Sequence, residues 1–369
     1  MRGAATLTGG RKWRRGGQTP GRERQGNQST VARVCRAMAR IPFARSNEIR
    51  FKALVVLIPP LSYSLRQRDA LSRQAYAAVR AKRPVPAVPF GNIVVTLGTP
   101  RCLTVAASDS GGGAGIEADL KAFAAAGCHG MAVLTGITAQ NTVAITRVHG
   151  LPPDLVVAQL QAVFDDIGVD AVKTGAMLTA SVIHAVADYL AHHHTTLVLD
   201  PVHVASTGAA LLPETARAAL VTRLLPRASV VTPNLEEAGW LVGHAGSAHG
   251  LAEELHRMGP AAVLITGGDS GEHDHLFDGR EHHDIDTVRH DRRATHGTGC
   301  THSAMLAALL ARGASLREAA QGAAEAVAAA VGRGLADLGA GEGPVDVIGL
   351  EERRRRLPVG ASTAGPGER

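Results

Sequence analysis

Residues 102–121 read CLTVAASDSGGGAGIEADLK. Residues 102–107 are a short apolar run with β character, bounded by turn residues, and are predicted as a strand. Four glycines follow within 108–115, which lets the chain turn tightly and bring its backbone close to a ligand. Residues 115–126 then carry a helical pattern. The stretch is a strand, a glycine-rich turn and a helix, and the same unit recurs down the chain. Strands are expected at 131–137, 171–174, 197–199, 230–231 and 262–266. Helices are expected at 154–167, 180–192, 213–225, 235–242, 249–258, 300–311 and 316–332. Residues 275–277 and 285–288 suggest a β-hairpin. Repeated βα units imply an α/β fold, with a mostly parallel central sheet and helices on both faces, as a single domain. Ligands in such sheets bind beyond the carboxyl ends of the strands.

Outward from this region the composition changes. Residues 1–101 hold 20 Lys+Arg and 3 Asp+Glu, whereas residues 102–369 hold 19 and 30. The net charge of +6 is therefore the sum of a basic extension and an acidic domain. Residues 1–101 are expected to be an extension and linker of low complexity: a disordered arm, a transit-type presequence, or translated upstream sequence absent from the mature protein, the last being favoured. An apolar run at 53–58 and a basic helix at 68–83 fall inside it. The βα pattern spans 102–350, and 351–369 is expected to be a disordered tail.

Aromatic residues make up 3% of the chain, which argues against a nucleic-acid reader built on stacking. No apolar stretch is long enough to cross a bilayer. The four cysteines, Cys35, Cys102, Cys128 and Cys300, are far apart and form no Cys-x-x-Cys pair, so a reducing cytoplasm is the expected setting. The 17 histidines include clusters at 192–194 and 273–283; these are expected to be solvated and not metal ligands.

Five motifs fall at predicted strand ends or helix starts. Ser108–Gly115 is the glycine-rich loop, without the Gly-Lys-Ser/Thr that closes a Walker loop. His296-Gly297-Thr298-Gly299-Cys300-Thr301 opens a long helix, where free N–H groups and the dipole attract an anion, and where a cysteine would be stabilised as thiolate. Asp200-Pro201-Val202-His203 puts a carboxylate just past a strand. Thr232-Pro233-Asn234-Leu235-Glu236-Glu237 reads equally as a capping box and as oxygen donors for phosphate-bound Mg²⁺. Thr266-Gly267-Gly268-Asp269 is a turn that could admit a nucleotide. Each motif alone also has a purely structural reading; it is their convergence on one sheet edge that points to a nucleotide and a substrate meeting there.

With ITAQNT at 137–142 and VKTGAM at 172–177 added, residues 102–350 resemble the hydroxymethylpyrimidine/phosphomethylpyrimidine kinases of thiamine biosynthesis, in the ribokinase-like superfamily. Cys300 in Gly-Thr-Gly-Cys is informative, because sugar kinases and typical pyridoxal kinases of that superfamily carry aspartate there. The resemblance implies ATP- and Mg²⁺-dependent phosphorylation of 4-amino-5-hydroxymethyl-2-methylpyrimidine and of its monophosphate. It also implies a homodimer without membrane or nucleic-acid partners. Gln140, Ala107, Asp109 and Ala114 would contact the pyrimidine, with Asp119 nearby through water. Gly297, Thr298 and Gly299 would form an anion hole beside Cys300 at the catalytic-base position. Asn234, Thr266 and Gly268 would serve the nucleotide, and Glu237 and Asp200 the metal. The alternatives are a pyridoxal kinase of the same fold and a non-catalytic pyrimidine-binding descendant. The chain departs from the family pattern at Ala107 (often Gly), at Gly175-Ala176-Met177 (usually Gly-Met-Leu), at His203 (Met), Ser206 (Lys), Thr266 (Lys) and Asp269 (His).

Overall fold

In the computed structural model the described residues are 98–267, 273–288, 290 and 294–356. The expected apolar run at 53–58, the basic helix at 68–83 and the tail beyond residue 356 lie outside them.

Nine strands form one sheet in the order β3-β2-β1-β4-β5-β6-β7-β8-β9. They are β1 (Arg101–Asp109), β2 (His129–Gln140), β3 (Ile145–Gly150), β4 (Ala171–Thr174), β5 (Thr196–Leu199), β6 (Val230–Val231), β7 (Val263–Ile265), β8 (His273–Phe277) and β9 (His282–Asp286). The six strands from β2 to β7 run parallel, and β3, β8 and β9 are added antiparallel at the two edges.

Alternation along each strand divides the interior in two. Leu103, Val105, Val172, Leu199, Val231 and Val263 point to one face. There they pack on helices α2 (Pro153–Asp166), α3 (Ala180–Leu190), α4 (Glu214–Ala219), α5 (Leu235–Val242) and α6 (Ala248–Arg257). Cys102, Ala171, Val198, Val230 and Leu264 point to the other, against α1 (Gly115–Ala125), α7 (Thr298–Ala311) and α8 (Leu316–Gly332). The expected layering, helices on both faces of a mostly parallel sheet, is the one observed. In α7 nine residues, from Thr301 to Ala311, are buried; a helix enclosed on nearly all sides needs no polar stripe, and its Ala-rich sequence lets α8 approach closely.

The differences from expectation lie at edges and ends. β3 was not anticipated: ITRVHG has no buried alternation because it is an exposed edge strand paired only with β2. β9 covers 282–286 instead of 285–288. The helix expected at 213–225 ends at Ala219, continues as a wide turn over Leu220–Leu224, and tightens at Leu225–Arg227, where Pro226 cannot donate a helical hydrogen bond. The start of the expected tail forms a short exposed helix, α9 (Leu350–Arg356). Among the described residues no helix is long and apolar enough to cross a membrane.

Candidate active site

The strand order reverses between β1 and β4, since β2 lies on one side of β1 and every later parallel strand on the other. An open α/β sheet forms its ligand crevice at such a point. Here a bulge in the β1–β2 pairing between Ala106 and Ala107 re-aims the last residues of both strands.

Asp109 closes β1 with its side chain turned back into the glycine loop. Its Oδ1 accepts from the Gly111 amide at 2.8 Å, and its Oδ2 from Gly113 at 3.0 Å and Ala114 at 2.9 Å. His296 Nε2 lies 3.0 Å from Oδ2, and His296 Nδ1 lies 2.9 Å from the Ser206 hydroxyl. Burial pushes the Asp109 carboxyl up, but the bonds from His296, Gly111 and Ala114 outweigh it and hold the group below the usual carboxylate range. An ionised carboxylate can only accept, so His296 carries its proton on Nε2.

The second loop docks on the first. Gly297 has φ +82°, and a Cβ there would overlap the carbonyl oxygen of Gly113. Glycine is required at this position by both conformation and contact. A Cβ on Gly299, by contrast, would meet nothing within 4 Å, so the first turn of α7 faces open space. Thr298 Oγ1 is turned away from that space, donating to the Thr295 carbonyl at 2.6 Å.

Beneath the two loops lies a buried ionic cluster. Lys173 on β4 donates to both oxygens of Asp119 on α1, at 2.9 and 3.1 Å, and lies 3.4 Å from Asp200 Oδ2. Thr104 donates to Asp119 at 2.6 Å, and Ser303 on α7 to Asp200 at 2.8 Å. Lys173 and Asp119 are both wholly buried. Burial raises Asp119 to about 6, with Lys173 as the main counterweight. For Lys173 burial acts downward, but the acidic neighbours, Asp119 foremost, win and raise its pKa. The pair is charged at neutral pH. Asp119 does not line the pocket itself, but Lys173, which it holds, does.

Cys300 lines the pocket, but the expected stabilised thiolate is not found. Burial pushes its thiol up to about 12; Lys173 opposes this, while Asp200 and Asp119 add to it. Burial is the largest cause, and the opposing Lys173 ammonium does not offset it.

Asn234 and Glu237 form a reciprocal capping box on α5: Asn234 Oδ1 accepts from the Glu237 amide at 2.8 Å, and Glu237 Oε2 from the Asn234 amide at 2.9 Å. Burial, then the negative charge of Asp200, raises Glu237 to about 8. Two mutually repelling carboxylates at a sheet edge are hard oxygen donors whose repulsion a divalent cation would relieve, and that donor set fits Mg²⁺. Thr266 is bridged to Asn234, its amide donating to the Pro233 carbonyl at 2.9 Å, so the ends of β6 and β7 are joined. Gly268 lies outside the described residues.

One concave pocket of about 460 Å³, measured with its open mouth, joins Ala107, Asp109, Ala114, Gln140, Lys173 and Cys300. Gln140 stands at the end of β2, its Oε1 accepting from Thr138 at 3.1 Å and its Nε2 lying 3.4 Å from His296. Ala176 lines the wall, whereas Met177 turns into the core and is 1% exposed.

A family model described as phosphomethylpyrimidine kinase matches residues 109–346, from the carboxylate that closes β1 to the loop that follows α8. The chain belongs to this family. It is 46% identical over 253 residues to the hydroxymethylpyrimidine/phosphomethylpyrimidine kinase of Streptomyces coelicolor, covering 67% of this chain and 94% of that one. It is 45% identical over 263 residues to the thiamine biosynthesis bifunctional protein ThiED of Geobacter sulfurreducens, covering 69% of this chain and 54% of that relative. Among solved structures, an ADP complex of Bacillus subtilis pyridoxal kinase superposes with a TM-score of 0.63 at 36% identity, over 69% of this chain and 99% of the other.

Within this kinase family frame, three residues of the site escaped sequence reading as contributors: Lys173, His296 and Ser303. Lys173 had a usable signal, since a lysine inside the four-residue buried strand AVKT breaks the apolar run of a central parallel strand and demands a buried partner. His296 and Ser303 had none beyond their neighbours, because their partners Asp109, Ser206 and Asp200 are 187, 90 and 103 residues away.

Proposed function

We propose that the chain transfers the γ-phosphoryl group of ATP to the hydroxymethyl oxygen of 4-amino-5-hydroxymethyl-2-methylpyrimidine, and then phosphorylates the monophosphate to the diphosphate. The observation that carries this reading is the meeting of Gln140, Cys300 and the open first turn of α7 in one pocket at the strand-order reversal.

In this reading Gln140 offers its amide to the amino and ring-nitrogen edge of the pyrimidine, between walls formed by Ala107, Ala114 and Ala176. Asp109 and His296 act on the substrate indirectly, by holding the glycine loop in shape. The hydroxymethyl oxygen attacks the γ-phosphorus, the bond to the β-phosphate oxygen breaks, and ADP leaves. The N–H groups of Gly297 and Gly299 face the charge that grows on the transferred oxygens, whereas the Thr298 amide, expected to join them, already donates to the Thr295 carbonyl at 3.1 Å. Cys300 is a neutral thiol that positions the hydroxymethyl group, and the proton departs with the phosphoryl oxygens or solvent, since a loose transition state asks little of a base. Asn234 and Glu237, with Asp200, would hold Mg²⁺ against the phosphates, and Thr266 and Gly268 would border the nucleotide. Bound there, Mg²⁺ would supply charge neutralisation for the phosphates. The proposal includes a homodimer acting in the cytoplasm, with residues 102–350 as the catalytic domain.

The test is ATP turnover by the full chain with Mg²⁺, offered the hydroxymethylpyrimidine, its monophosphate, pyridoxal and ribose in parallel. Preference for either pyrimidine supports the reading. Preference for pyridoxal moves the assignment to the relative seen among the solved structures, and no turnover by folded protein overturns catalysis altogether.

A further inference from the structure

Away from the pocket, three histidines converge where α6 crosses the β8–β9 hairpin. His249, His275 and His282 each offer a ring nitrogen, and these atoms all lie within 4.8 Å of one another. We infer that His249, His275 and His282 form a binding site for a zinc-class divalent transition metal, oriented by Asp284 and Glu253, which clips the β8–β9 hairpin to α6.

The placement follows from the elements. His275 pairs directly with Asp284 across the hairpin, and Phe277 with His282. Alternation puts these four side chains on one face, turned toward α6, while Leu276 and Ile285 fill the core on the opposite side. His249 and Glu253 are four apart on α6 and share one helix face. The ring of His249 lies at a centroid distance of 4.1 Å from each of the others, tilted by 39° to His275 and stacked on His282.

The hydrogen bonds are those of a metal site's outer shell. His275 Nδ1 lies 3.2 Å from Asp284 Oδ1, and His282 Nε2 lies 3.3 Å from Glu253 Oε1. Carboxylates accept, so each ring places its proton on the outer nitrogen. The inner nitrogens, His275 Nε2 and His282 Nδ1, then turn lone pairs toward each other at 2.8 Å. Two facing lone pairs need a positive centre between them, either an extra proton or a metal ion. Carboxylate–histidine pairing of this kind fixes the tautomer and raises ligand basicity toward a metal. His249 supplies a third imidazole, which favours the metal over a lone proton. Imidazole ligands select zinc, copper, nickel and iron over magnesium and calcium, and three of them leave a fourth tetrahedral position for water. His275 is 2% exposed, so the expectation of merely solvated histidines does not hold for it.

The test is isothermal titration of untagged full-length protein, stripped with a chelator and desalted, with zinc chloride. The inference expects one site per chain whose affinity falls at least about tenfold in His249→Ala and in His282→Ala and several-fold in Glu253→Gln, the scale on which such ligands act. His184→Ala, at an exposed position on α3, should leave binding unchanged. Zinc should also raise the unfolding temperature of the wild type and not that of His249→Ala, while the metal-free proteins unfold alike, which separates lost ligation from lost folding. Cobalt bound in place of zinc should show the visible bands of a tetrahedral site. No binding by the wild type would assign the 2.8 Å contact to a shared proton and overturn the inference. So would equal binding by a His249→Ala/His282→Ala double variant, which would place the metal on other histidines.

Discussion

The Lys173–Asp119 pair offers the sharpest test of how this site is built. Both groups are wholly buried, and Lys173 supplies two of the three hydrogen bonds that Asp119 accepts. Lys173→Met fills much of the same volume but leaves Asp119 with only Thr104, and with Asp200 no longer screened. Removing one member of a buried pair costs about 3–5 kcal/mol, because an uncompensated charge stays behind. For a domain of this size that is a fall in unfolding temperature of roughly 6–20 °C. The loss should depend on pH. In the variant the Asp119 pKa lies above its unfolded value of about 3.9, so the protonated form folds at little cost near pH 4. In the wild type Lys173 already holds Asp119 at about 6, so the deficit opens above that pH and grows by about 1.4 kcal/mol per unit until the variant's own folded pKa is passed. The deficit is therefore larger at pH 7 than at pH 5. Adding Asp119→Asn removes the orphaned charge, so the double variant should recover stability, with a coupling of about 2 kcal/mol or more. Urea unfolding of all four proteins at pH 5 and 7 measures this. A single-variant loss below about 1 kcal/mol, additive losses, or a deficit indifferent to pH would refute the reasoning.

Three further outcomes follow from the same geometry. Cys300, held near 12, should react with iodoacetamide about one to two orders of magnitude more slowly at pH 8 than an ordinary thiol, with a rate still climbing through pH 10; site-resolved mass spectrometry reads this, and a plateau near pH 8.5 would contradict it. Gly297→Ala, which must hold φ near +82° and meet Gly113, should lower kcat about 100-fold, whereas Gly299→Ala, facing open space, should stay within about tenfold of the wild type; steady-state kinetics separate the two. Asn234→Ala removes a helix cap and should cost about 1 kcal/mol in urea unfolding, with a rise in the KM for Mg·ATP as well if Asn234 also serves the nucleotide.

Much of the site was legible because its parts are local. The glycine loop after β1, the Gly-Thr-Gly-Cys start of α7 and the Asn234–Glu237 box each lie within a few residues, and a strand end followed by a helix start gives away their position. The capping box uses the single side-chain oxygen of Asn234 and one of the two of Glu237, so the metal reading rests on the second Glu237 oxygen and on Asp200, which acts on that carboxyl from across the edge. What failed to show were long-range partners and the balance among charges. The fate of the Cys300 thiol could not be read from a helix-start position, because its burial, set by elements far apart in the chain, outweighs that position. The exposed edge strand β3 carries no apolar alternation, so its pairing with β2 left no trace in the residue pattern.

The amino-acid sequence alone thus determined the alternating βα architecture and the family to which the motifs belong, because periodicity and short-range turn chemistry are local properties. Only the tertiary structure decided which charges meet. It joined Lys173 to Asp119, His296 to Asp109, and His275 to His282 between Asp284 and Glu253. The reason is physical: electrostatic and hydrogen-bond energies depend on distance and burial, and both are set only when strands and helices far apart in the chain pack together.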